Sequence, residues 1–191
     1  TKLTDRILQL PKEERDQNID NLMTTLSLYE SFTRSDYQQA VAESIGEMAQ
    51  KIFDNQEDSL KGVRGVVQKG MEKGIDVVAD IFGGKEGISR IVSGILRKEG
   101  KEFVRPVHLD AETIRSVQEE VIKNIGAISE VIDPSVLDVM RVACLDIKAN
   151  PDNVLTEDDQ RKFMEAFRKF VPVATRVTRK VIESQVDLIQ L

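Results

Sequence analysis

The segment SLKGVRGVVQKGMEKGIDVVADIFGGKEGISRIVSGILRKEG, residues 59–100, holds nine of the chain's 11 glycines. Placed about 100° apart, its residues from Val63 to Phe82 gather Val63, Val66, Val67, Met71, Val78, Ile81 and Phe82 on one side. Lys69, Glu72, Lys73, Asp76 and Asp80 fall on the other. That is the period of an amphipathic helix. Gly70 and Gly74 lie inside the apolar stripe, where two glycines one turn apart let a neighbouring helix approach closely. Gly83 and Gly84 suit a helix end and a tight turn. A second helix follows with Ile88, Ile91, Val92, Ile95 and Leu96 on one face, Gly87 and Gly94 beside that stripe, and Gly100 as its stop. The segment therefore predicts a glycine-rich helical hairpin at the centre of an all-α fold.

The flanking sequence has the same character. Leu3–Leu10 predicts a short helix stopped by Pro11, which can itself occupy the first turn of the next one. Ile19, Leu22, Met23, Leu26 and Tyr29 then keep one face to about Phe32. Ser35 is a suitable cap for a third helix carrying Tyr37, Val41, Ile45, Met48 and Ile52. Val104–Leu109 reads as an extended connector because Pro106 disfavours helix at Arg105. Asp110 caps a helix with Ile114, Val117, Val121, Ile125, Ile128 and Ile132 in one stripe. Asp133-Pro134 caps and opens another, through about Ile147. Thr156 opens the last long helix, which Pro172 is expected to kink or split. No segment alternates as a strand would. The expectation is an irregular bundle of about seven or eight amphipathic helices in one domain, residues 1–191, with a possible subdomain boundary near 101–109.

Composition narrows the function. Forty per cent hydrophobic and 31% charged residues describe a chain able to bury a core. With seven Phe, two Tyr and no Trp there is little to stack on bases, so no nucleic-acid partner is expected. The longest uncharged run, Asn21–Tyr29, is far short of the roughly 20 apolar residues of a spanning helix. No basic segment leads into an apolar core at the amino terminus, so no signal peptide is expected, although the chain opens at Thr1 and leaves room for an upstream segment. The single Cys144 excludes an internal disulfide and fits a reducing compartment, with the cytoplasm as the default expectation. Net charge alternates in blocks, −6 over residues 1–60, +4 over 61–105, −8 over 106–159 and +4 over 160–191.

Two local patterns bear on chemistry. Residues 148–159 resemble the 12-residue calcium loop of an EF-hand, with Asn150, Asp152, Asn153, Thr156 and Asp159 at positions 3, 5, 6, 9 and 12. Lys148 stands where the first carboxylate should be, and Asp159 replaces the longer glutamate. These departures favour a capped helix–loop–helix turn, and no metal or cofactor is expected. In the last helix Arg161, Lys162, Arg168, Lys169, Arg176, Arg179 and Lys180 fall within about 120° of arc, opposite Phe163, Phe167, Phe170, Ala174, Val177 and Val181. Such a basic stripe is either solvated and paired within the fold or a contact for an acidic protein or an anionic membrane surface. His108 is the only histidine, and Cys144 sits among apolar residues, so no catalytic constellation is present in the sequence. The residues point to a non-enzymatic interaction module that binds a protein partner or itself. The alternative is a membrane-active or lipid-binding protein that uses the hairpin and the basic terminal helix.

Overall fold

The structure, a computed structural model, describes residues 2–54, 80–101, 108–151 and 154–189. The first arm of the glycine-rich hairpin with Gly70 and Gly74, most of the 104–109 connector, and Asp152 lie outside the described residues. Among the described residues there are seven α-helices and no strand: α1 Lys2–Gln9, α2 Lys12–Phe32, α3 Ser35–Phe53, α4 Gly84–Lys98, α5 Ala111–Glu130, α6 Pro134–Ala149 and α7 Glu157–Ile189. None is long and apolar enough to cross a membrane.

The chain folds as two compact units that interleave along the sequence. One comprises Thr1–Thr33 and Ser129–Thr178; the other comprises Arg34–Ile128 and Arg179–Leu191. In the first unit α1 and α6 pack on α2. Ile19, Leu26 and Phe32 of α2 are buried, as are Leu137, Met140, Cys144 and Ile147 of α6 and Phe163, Phe170, Val173 and Val177 of α7. A chain of rings runs through this core, with Tyr29 6.0 Å from Phe170 and Phe167 within 6.4 Å of both Phe163 and Phe170. Such offset aromatic pairs add to burial. Arg141 pairs with Glu30 and Lys148 with Asp20, so two ion pairs join α6 to α2 at the surface. Arg15, in the first turn of α2 beside Glu13 and Glu14, is completely buried, with its Nε 3.8 Å from Asp16.

In the second unit α3 packs on α4. Val41, Ile45, Ala49 and Phe53 of α3, Ile88, Ile91 and Val92 of α4, and Val117, Val121, Ile125 and Ile128 of α5 are buried. The end of α7 belongs to this unit: Ser184 is buried, and Gln185 Nε2 donates to the Ile81 carbonyl at 3.2 Å.

Several termini follow the sequence signals. Asp133 accepts from the Ser135 hydroxyl and N–H with Pro134 at the first turn of α6, and these hydrogen bonds, the hydroxyl's first, hold its carboxyl below the usual range. The Thr113 N–H donates to Asp110 at 2.8 Å, and the Asp159 N–H donates to Thr156 Oγ1 at 3.1 Å. Gly100 has φ +69°, while the N–H of Lys101 reaches the Leu96 carbonyl and that of Gly100 the Arg97 carbonyl. This paired return closes α4 with a left-handed glycine, a conformation costly for other residues.

Three expectations change. α3 starts at Ser35 itself, with Arg34 at the cap position. Pro172 does not split the last helix, which runs unbroken from Glu157 to Ile189. Pro172 sits on the exposed side, where a freed carbonyl meets water, and the buried Phe163–Val177 stripe continues past it. Gly87 and Gly94 lie on the buried face of α4 rather than beside it. At Gly87 the reason is contact: an added Cβ would come 1.6 Å from the Phe82 carbonyl oxygen.

Candidate interaction surface

The basic stripe is the first surface to test against geometry. Arg161 pairs with Asp158 and stands 3.6 Å from Glu165, while Lys162 pairs with the same Asp158 at 3.0 Å. Asp158 is correspondingly held below the usual carboxylate range, first by Arg161 and then by Lys162. Lys180 pairs with Glu183 at 3.2 Å. Arg176 donates from Nε to the Pro172 carbonyl. Arg168, Lys169 and Arg179 are exposed and make no ion pair among the described residues. Three of the seven stripe cations are thus paired with acids about one turn away, where surface pairs contribute little to stability. The rest carries uncompensated charge. The chain between Glu165 and Glu183 contains no acidic residue at all.

The EF-hand-like segment is organised by other contacts. Lys148 extends to Asp20, Thr156 caps α7, and the Lys162 ammonium shares a surface hollow with Asn150 and Asp159. No cluster of three metal-ligating side chains exists among the described residues. Cys144 is buried, and that burial pushes its thiol up to about 12, which makes it unreactive near neutrality. His108 is exposed.

The surface that periodicity did not single out is on α6. Ten of its 16 residues are apolar, too many for one buried stripe. Leu137, Met140, Cys144 and Ile147 face the core, whereas Val139, Val142 and Leu145 are 48%, 58% and 49% exposed. That excess was the available signal. α6 and α7 are joined by the short 150–156 connection and border a groove of about 360 Å³. Asp138, Val139, Val142, Ala143 and Asp146 form one wall, and Lys162, Glu165, Ala166 and Lys169 form the other. The floor is apolar and the rims carry both charge signs. Comparison of the chain with protein-family models, curated proteins and solved structures returned no match.

Proposed function

We propose that this protein is a non-enzymatic helical interaction module that docks an amphipathic helix supplied by another polypeptide in the groove between α6 and α7. The observation that carries the reading is that Val139 and Val142, about one helical turn apart and about half exposed, line a concave apolar surface. Contiguous exposed apolar surface rimmed by polar groups marks an interaction site. A groove between two helices accepts a helix through anchors at i, i+3 or i+4 and i+7. The test is selection of binders from a helical peptide library on the parent protein and on Val142→Glu. Peptides enriched on the parent and lost on the variant support the reading; equal enrichment on both overturns it.

A second reading rests on a different observation, the cations Arg168, Lys169, Arg176 and Arg179 in the acid-free part of α7, which make no ion pair among the described residues. In it that face contacts an anionic membrane surface. Each basic residue near such a surface contributes about 1 kcal/mol, and the effect is screened by salt. Co-sedimentation with vesicles containing phosphatidylserine at low and moderate salt tests it. Association that disappears in Arg168→Glu with Arg176→Glu supports this reading, and no association at either salt concentration ends it.

A further inference from the structure

We infer that the helix this groove accepts is the C-terminal end of α7 from a second copy of the chain, residues 179–187, an inference that rests on the groove reading above. The tail also carries exposed apolar side chains: Ile182 and Val186, one turn apart, are 55% and 46% exposed. Ser184, on the side opposite them, is buried, and Gln185 donates to the Ile81 carbonyl, so the exposed side is presented by an anchored helix.

Charge sets the register. Asp146 and Lys162 border the hollow at the connection end of the groove, and Lys169 lies seven residues further along α7, about 11 Å away. Neither Asp146 nor Lys169 makes an ion pair among the described residues. On the tail, Arg179 and Asp187 are exposed, likewise make no ion pair among the described residues, and are eight residues apart, about 12 Å. A tail laid parallel to the groove's α7 wall brings Arg179 to Asp146 and Asp187 to Lys169. Ile182 then lies over Val142 and Val186 over Val139. Complementary charges of this kind fix orientation and register more than they add affinity.

The tail and one groove wall belong to the same helix, α7, so each copy carries one groove and one tail. A head-to-tail contact of this type grows into open chains or closes into rings.

Sedimentation velocity of the full chain from about 1 to 200 µM tests the inference. The average mass of the parent is expected to rise with concentration. Val142→Glu and Ile182→Glu, both at exposed positions, should each stay monomeric with an unchanged circular-dichroism spectrum. An equimolar mixture of the two should form a heterodimer and nothing larger, because it retains one intact groove and one intact tail. Asp146→Lys should weaken association about tenfold, and adding Arg179→Glu in the same chain should restore it. A parent that is monomeric throughout, or a mixture that does not associate, overturns the inference. If the parent is monomeric while library peptides still discriminate it from Val142→Glu, self-docking fails and the groove reading stands. If the peptides fail as well, both fall.

Discussion

At the scale of single residues, the glycines divide by what surrounds them. Gly87 faces the Phe82 carbonyl, part of the backbone turn at Gly83 and Gly84, where φ is +84° and +63°. A methyl group there displaces backbone, so Gly87→Ala should cost about 2 kcal/mol or more in urea denaturation. Gly126 sits inside α5 with nothing within 4 Å of its would-be Cβ. Gly126→Ala should therefore stabilise by up to about 1 kcal/mol in the same measurement, through helix propensity alone. Cys144 gives an independent readout of the first unit. Because its thiol is buried and pushed up to about 12, its modification by a disulfide reagent at neutral pH should proceed only as fast as the protein opens. Modification at the rate of an exposed thiol would contradict that burial.

At the scale of helices, the junction between α4 and α5 is held by a small charged cluster. Lys101 Nζ donates to Asp110 at 2.7 Å and lies 3.1 Å from Glu99, and Thr113 Oγ1 donates to Glu99 at 3.0 Å. The Lys101 ammonium, with the Thr113 N–H, holds the Asp110 carboxyl well below its ordinary value of 3.8. A depressed carboxylate stabilises the fold above its unfolded pKa, and the contribution is lost as pH falls through the folded one. Asp110→Asn should thus lower the melting temperature at pH 7, and the gap to the parent should close progressively as pH falls below about 4. A gap independent of pH would assign the loss to something other than this carboxylate. Much of the helix layout was legible in the sequence because caps and stops act locally: Asp110, Asp133, Thr156, Gly83 and Gly100 each do what their residue type predicts. Gly87 was not legible, since a glycine contributes no side chain to a periodic stripe and its contact comes from a turn five residues earlier. Pro172 misled because the cost of one missing backbone bond was weighed without the burial of the helix on either side. The α6 valines were not singled out because periodicity reports that apolar stripes exist, and only packing decides which stripe is covered.

At the scale of the whole molecule, two helical units are each built around their own apolar core, and α7 contributes to both. Val142→Glu should change stability by no more than about 0.5 kcal/mol, as expected for an exposed site, while abolishing docking in the groove. The central claim is that the α6–α7 groove is where a partner helix sits. Methyl NMR of the full chain during titration with a library-selected helical peptide tests it, following Val139 and Val142 against the core methyls of Val41 and Ile125. Saturable shifts are expected at Val139 and Val142, with Val41 and Ile125 unmoved. A peptide that binds and leaves both α6 methyls untouched would contradict it.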